Sequence, residues 1–347
     1  MYNETKKIAI LIVTYNSIRH IGGCIESIRR LERSPHEELS IFVIDNASQD
    51  GTRALVRGHD DIQLIQNVTN EGYAKAMNQG LRIALDQGYD YFLLLNPDIT
   101  LSRDFLTSLL GVTALPSWGA CQGLLLHLDG VTVNSAGNKI HYLGFGYVGD
   151  NNVPLSHVRN TWDEEFVPIT YASGACVFTN KKTLEKVGLF DERLFSYHED
   201  LDFGWRMWLC NIPVYVATQA HAYHEYEENR YKEKFYLMER NRLLVLIKNY
   251  SIRTLLLLSP MLFVTECFVI VASLRGRWFF RKVKGYIGTM RILFRYGTWR
   301  SKVQPLRSMS DKELLTRFTY KMNVPIPAFG RLLLKLYYTY MCSTLRG

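Results

Sequence analysis

Two short stretches of this chain carry residues whose types and spacing suit chemistry on phosphates and protons. The first is Asn96-Pro97-Asp98, which ends the apolar run YFLLL at 91–95. Pro97 has no amide hydrogen and keeps Asn96 extended, so the run cannot pass directly into a helix. In an extended segment positions 96 and 98 point to the same side. The Asn96 amide and the Asp98 carboxylate then converge on one point, an arrangement able to hold a hydrated divalent cation whose shell substrate phosphates complete. A tight turn is the plainer use of the same three residues. The second stretch is SYHEDLDFGWR, which places His198, Glu199, Asp200 and Asp202 within five positions. At a helix start such acids meet the positive end of the dipole. Three neighbouring carboxylates also repel one another, and at a pocket rim this raises one of them toward the range of a general base. Glu199 and Asp200 are the candidates for that role. Asp202, four residues before Arg206, suits capping or an ion pair. His224, in HAYHEYEENRY, is a lone imidazole; the HExxH spacing of zinc proteases fails because position 228 is Glu.

These side chains need a frame, and the first hundred residues supply its pattern. IAILIV (8–13) is apolar throughout, as expected of a parallel strand covered on both faces. Ile18, Ile21, Ile25 and Ile28 follow at helical spacing. LSIFVI ends a second strand at Asp45, SQDGT turns into a short helix, and IQLIQN makes a third strand. Ala76, Met77, Gly80, Leu81, Ala84 and Leu85 form the next helix face before YFLLL. This alternation predicts right-handed crossovers in a doubly wound α/β sheet. Ligands bind such sheets at the carboxyl ends of the strands, where Thr14-Tyr15-Asn16, Asp45-Asn46, Asn70 and Asn96-Pro97-Asp98 collect. Beyond residue 100 the pattern predicts a helix at 105–112, irregular strands to about Tyr147 and a loop at 149–160. A strand in YASGACVFTN, a short helix in KKTLEKVGLF, a longer helix from the acidic cluster and a strand in IPVYVAT follow. GFGYVG at 144–149 matches GxGxxG but runs into DNNVP instead of a helix, so it reads as a loop.

With 347 residues, 47% hydrophobic and 21% charged, the chain can bury a large core. Its six cysteines contain no CxxC pair, which argues against a disulfide framework or a zinc cluster. The opening residues lack a signal-peptide pattern, so the catalytic part is expected in the cytoplasm. Charge is divided unevenly: from Arg240 onward 20 Lys/Arg face three acids, whereas 21 Lys/Arg face 30 acids before it. A basic back half on an acidic front half points to an anionic partner.

Six ordered motifs, ILIVTYNS, VIDNASQDGT, NEGYAKAMNQGL, LLLNPD, SGACVFTNKKTLEKVGLFDERLFSYHEDLDFGWR and HEYEENRYKEKFYLMERN, run from about Ile8 to Asn241. Together they resemble the inverting family 2 glycosyltransferases, and within them the bacterial rhamnosyltransferase-like branch. The resemblance implies a GT-A fold, a Rossmann-like mixed sheet flanked by helices, with a nucleotide-binding half at about 1–110 and an acceptor half at 111–240. It puts Thr14, Tyr15 and Asn16 beneath the nucleotide, Asp45 on its base or ribose, and Asn70, Gly72 and Lys75 along the donor. Asn96 and Asp98 match the family's DXD position, where Mg2+ or Mn2+ meets the diphosphate, and His224 matches a histidine that completes this metal site in some members. Many members have Asp where this chain has Asn96, so its site carries one charge fewer. Asp200 matches the catalytic base, Glu199 lies beside it in the acceptor site, and Trp205 and Arg206 match a family pattern that packing and an internal ion pair would also explain. The implied reaction moves a sugar, dTDP-rhamnose favoured, from a nucleoside diphosphate to a hydroxyl of a glycan or lipid-linked saccharide in bacterial surface polysaccharide synthesis.

The remaining segment, 241–347, reads as a basic, helical, membrane-associating extension. TLLLLSPMLFVTECFVIVASL (254–274) is long enough for one crossing but contains Pro260 and Glu266, so a helix lying in the interface competes with a span. Phe329, Leu332, Leu333, Leu336, Tyr337 and Tyr340 form a later apolar stripe. These features favour attachment to the anionic cytoplasmic face of the inner membrane. Two other classes compete: a sugar nucleotidyltransferase, which TYNS in place of a Gly-rich basic loop disfavours, and a non-catalytic membrane-surface binding protein, which leaves the acidic cluster without a task. Nucleic acid is not an expected partner.

Overall fold

The computed structural model describes residues 5–225, 233–322 and 328–345. The first part alternates β1 (Lys6–Thr14), α1 (Ile21–Arg29), β2 (Glu37–Asp45), α2 (Thr52–Arg57), β3 (Ile62–Gln66), α3 (Tyr73–Asp86) and β4 (Tyr91–Leu95). Then come β5 (Ile99–Leu101), α4 (Phe105–Leu110), β6 (Ala120–Leu126), β7 (Val133–Ser135) and the hairpin β8 (Asn138–Ile140) and β9 (Gly146–Val148). Next come α5 (Leu155–Thr161), β10 (Phe166–Ile169), β11 (Cys176–Asn180), α6 (Lys181–Val187), α7 (Glu199–Leu209) and β12 (Val214–His224). Helices α8 (Lys234–Asn249), α9 (Ile252–Arg275), α10 (Phe279–Tyr296), α11 (Arg300–Val303), α12 (Asp311–Arg317) and α13 (Ala328–Thr344) complete the chain.

One large mixed sheet has the order β10-β12-β6-β11-β4-β1-β2-β3, with β5 added to β12 and β7 to β6. Strands β1 to β4 pair in parallel, and β11 enters antiparallel against β4. The continuous apolar run of β1 has a direct cause. Ile8, Ile10 and Ile12 face one core with α1 and α4, whereas Ala9, Leu11 and Val13 face another with α3 and α7. Helix α7 is buried on both sides in the same way. Phe203 and Met207 pack on the sheet, while Leu201, Trp205 and Leu209 join a third core with α8, α9, α12 and α13. These contacts pack the basic segment onto α7, each fully buried side chain of this size contributing about 2 kcal/mol.

Three details depart from the pattern read along the chain. Ile18 lies ahead of α1 and is partly exposed, because its amide is held by the Asp50 carboxylate at 3.0 Å. The loop expected at 149–160 contains α5, which starts after Pro154 and buries Val158 against Leu124, Leu126 and Val133. The strand expected in YASGACVFTN begins only at Cys176, leaving Ser173-Gly174-Ala175 as a turn at the sheet rim. Part of the last motif, 226–232, lies outside the described residues.

Candidate functional site

A cleft of about 610 Å³ opens at the carboxyl ends of β1, β2 and β4. Tyr15, Asn16, Asn70, Gly72 and Asn96 line it, together with Asn46, Tyr73, His20 and the segment Phe195–Tyr197. Tyr15, Asn16, Asn46 and Asn96 follow within two residues of a strand end. Asn46, one residue past β2, donates to Asn70 Oδ1 at 2.8 Å, and the Gly72 amide donates to the same oxygen at 2.9 Å. Gly72 has φ 81°, and a Cβ there would sit 2.5 Å from the Phe195 ring, so only glycine fits between the cleft and that ring.

Several expected residues lie behind this wall. Thr14 and Asp45 are fully buried: Asp45 accepts from the Thr14 hydroxyl, the Ser48 amide and the Arg53 guanidinium, which fixes the loop after β2. Lys75 pairs with Glu71 on the exposed side of α3. Trp205 packs edge-on against Tyr250 and Phe318 in the third core. Arg206 is paired with Asp202 at 3.0 Å and donates to the carbonyls that end α6. None of these five side chains lines the cleft.

Asp98 and His224 are brought together by the antiparallel pairing of β5 with β12. Asp98 Oδ1 lies 3.5 Å from His224 Nε2, and both side chains are buried. His224 Nδ1 lies 3.0 Å from Asn134 Oδ1; because that oxygen accepts, Nδ1 donates and carries the proton. Nε2 is the ring nitrogen that faces the Asp98 carboxylate. That geometry fits a divalent cation, with Asn134 as the outer partner that orients the ring. Among the described residues no group of three or more His, Cys, Asp and Glu gathers into a complete cage, so water and phosphate oxygens would supply the remaining ligands.

Glu199 and Asp200 open α7, with His198 between them and the wall residue Tyr197; their side chains, like those of Asp98 and His224, lie outside the cleft lining. Asp200 accepts from the amides of Gly174 at 3.0 Å and Leu201 at 2.7 Å. Burial raises its pKa, and these amide donors oppose the rise. Glu199 has little such support: burial, then the Asp200 charge, pushes it from 4.5 to about 8. Burial and the neighbouring charge therefore favour the protonated form of Glu199, whereas the Gly174 and Leu201 amides favour the charged form of Asp200. Folded Glu199 keeps its proton to about pH 8, while the unfolded chain releases it near 4.5. Between those values the folded state binds more protons, so raising pH favours unfolding. We expect Glu199→Gln to flatten this decline in stability from pH 5 to 8, measured by urea unfolding; an unchanged slope would refute the assignment.

Two features had no signal in the linear pattern. Phe195, Tyr197 and His198 all have positive φ, between 64° and 68°. Asn241 of α8 holds this strained segment by donating to the carbonyls of Leu194, Ser196 and Tyr197. The Ser173–Ala175 turn joins the two chemical groups: the Asn96 backbone N–H donates to Ala175 O at 3.0 Å, and the preceding residue, Gly174, holds Asp200. Tyr73 braces the turn from the cleft side through its hydroxyl, which donates to Gly174 O at 2.9 Å.

Comparison with known proteins gives this geometry a relationship. Residues 9–188 match the model of glycosyl transferase family 2, more than half of the chain. A low-salt glycan biosynthesis hexosyltransferase, Agl10, of Haloferax volcanii is 26% identical over 257 residues, covering 70% of this chain and 79% of the relative. An N-acetylglucosaminyl-diphospho-decaprenol L-rhamnosyltransferase of Mycobacterium tuberculosis is 26% identical over 239 residues, covering 64% and 77%. Among solved structures, GalNAc-T7 with UDP, GalNAc and Mn2+ superposes with a TM-score of 0.55 at 12% identity, over 72% of this chain and 48% of that one, a likeness of fold alone. The chain belongs to glycosyl transferase family 2 and is a glycosyltransferase.

Proposed function

We propose that this enzyme transfers a sugar, with inversion, from a nucleoside diphosphate sugar to a hydroxyl of a lipid-linked saccharide at the cytoplasmic membrane face. dTDP-rhamnose is the favoured donor, a choice supported by the rhamnosyltransferase among its relatives. The observation that carries this reading is the single turn from which both chemical groups hang. Ala175 anchors the strand end leading to Asp98, and Gly174 anchors Asp200.

In this reading Asn16, Asn70 and Asn96 bind the donor in the cleft. Asp98 and His224 would hold Mg2+ or Mn2+, which when bound offsets the charge of the departing diphosphate. Asp200 takes the proton of the acceptor hydroxyl while that oxygen attacks the anomeric carbon from the side opposite the diphosphate. The bond to the diphosphate oxygen breaks and its electron pair leaves with the nucleotide, so one displacement inverts the anomeric centre. Glu199, neutral beside Asp200, leaves the negative charge on the base.

The test is a panel of nucleotide sugars, read by thermal shift and by turnover, with and without EDTA. We expect dTDP-rhamnose with Mn2+ to stabilise the protein most. Asp98→Ala should lower kcat/KM about a hundredfold, the loss expected when leaving-group charge is no longer offset. Full turnover in EDTA, or an unaltered Asp98→Ala enzyme, would refute the metal-site reading. Stabilisation by another donor would replace the rhamnose assignment.

A further inference from the structure

Helix α9 is apolar and, at 24 residues, long enough to cross a bilayer. Its surroundings argue against a crossing. Glu266, in the second half of α9, is paired with Arg242 of α8 and Lys282 of α10 and accepts from the Tyr286 hydroxyl of α10. Helix α8 is packed into the third core with α7, so these contacts fasten the middle of α9 to the catalytic body. The N-terminal end is fastened as well: Asp311 of α12 accepts from the Ser251 amide and the Thr254 hydroxyl. At the other end the chain reverses at Gly276–Trp278, and α10 returns along α9 and α8. A span would have to break all of these contacts and carry Glu266 into lipid without its partners.

What these helices leave exposed is apolar. On α9 the stripe includes Leu256, Phe263 and Val271; on α10 Phe280, Ile287 and Phe294 recur every seven residues; on α13 Phe329, Leu332 and Leu336 are exposed. Phe280 and Phe294 are each 84% exposed. Helix α9 packs against both α10 and α13, so the stripes adjoin. Around them stand exposed Arg275, Arg277, Arg281, Arg291, Arg331 and Lys335. From Ser251 onward Glu313 is the exposed acid among the described residues, since Glu266 and Asp311 turn inward. At the α9–α10 elbow, Trp278 stacks on Phe235 at 5.2 Å and, with Arg277 and Arg281, lines a hollow of about 480 Å³.

We propose that α9, α10 and α13 lie in the plane of an anionic phospholipid surface, apolar flanks down and arginines on the phosphates, with no crossing by α9. Aromatic side chains flanked by arginine suit the boundary between head groups and acyl chains. A second copy of the chain would bring the same positive charge to this face and be repelled. The proposal deepens the membrane attachment given above and is independent of the sugar transferred.

The first experiment floats the full chain with vesicles of phosphatidylcholine alone or with added phosphatidylglycerol. Binding is expected only with the anionic lipid. Arg277→Gln/Arg281→Gln should weaken partitioning about thirtyfold, and Phe263→Ser/Phe280→Ser/Phe294→Ser should abolish it, both with unchanged thermal melts. The second experiment labels Arg253→Cys and Arg275→Cys, one at a time in a Cys267→Ser/Cys342→Ser background, with an impermeant maleimide. Both positions should react in inverted inner-membrane vesicles and neither in sealed spheroplasts. Labelling of the two positions from opposite sides would establish a span and overturn the proposal. Absence of vesicle binding would also overturn it, whether the chain sediments as a monomer or as a dimer through this face. These readouts do not use turnover, so a failed glycosyl transfer assay leaves them intact.

Discussion

Asp200→Asn should lower kcat about a thousandfold while nucleotide-sugar binding, read by thermal shift, stays near the wild-type value. The substitution keeps the shape of the side chain and removes its ability to take a proton, and a positioned general base contributes about 10²–10⁴ in rate. The backbone makes the assignment specific to this residue. Gly174 and Leu201 both point amides at Asp200, which supports the charged form, whereas Glu199 faces burial and two neighbouring acids. An asparagine accepts from one of those two amides and presents its own NH2 to the other, so a modest fall in Tm accompanies the loss. A matched Glu199→Gln enzyme should retain far more turnover than Asp200→Asn. Asp200→Asn activity within threefold of wild type would end the proposed mechanism. A collapse confined to Glu199→Gln would transfer the base role to the neighbouring residue.

Lys248→Met should lower Tm by roughly 5 °C, a large effect for one substitution in a protein of this size. Lys248 is 2% exposed and bridges Asp191 at 2.8 Å and Asp202 at 2.6 Å. Against the upward push of burial, the Lys248 charge and then Arg193 hold Asp191 well below the usual carboxylate range. Its share of stability is therefore present at neutral pH and lost as pH falls below about 4. Removing one partner of a buried ion pair costs about 3–5 kcal/mol, because the remaining charges stay out of water uncompensated. For a protein of this size that corresponds to the stated change in Tm. Asp191→Asn in the same chain should recover part of the loss by removing one orphaned charge. A Tm within 2 °C of wild type for Lys248→Met would show that Arg193 and Arg206 alone suffice for the two acids. The outcome also bears on the proposed function, since Lys248 ties α8, which holds the strained 195–197 segment through Asn241, to Asp202 on α7.

Much of the sheet was legible in one dimension because β1, β2 and β4 are covered on both faces. Their inner stretches, 8–13, 41–44 and 92–95, are apolar at every position and lead to the polar rim at Thr14, Asp45 and Asn96. The face of α3 was legible for a similar reason, since a 3.6-residue period records which side is buried. The direction of β11 was not legible, because the alternation of side chains is the same in parallel and antiparallel strands. Nor was the exclusion of Ile18 from the start of α1, where the competing Asp50 hydrogen bond comes from 32 residues away. The same limit applied within the site. Residue types pointed to Asp98, His224, Glu199 and Asp200. The placing of Asn134 behind His224, the burial of Asp45 among Thr14, Ser48 and Arg53, and the positive φ angles of Phe195, Tyr197 and His198 arise from packing between distant segments. Local sequence determined which residues carry chemistry and which faces seek a core. Tertiary structure decided which carboxylate burial favours in its protonated form, which histidine meets which acid and which partners α9 packs against. Those outcomes depend on desolvation and on partners brought close in space, and no periodicity along the chain records either.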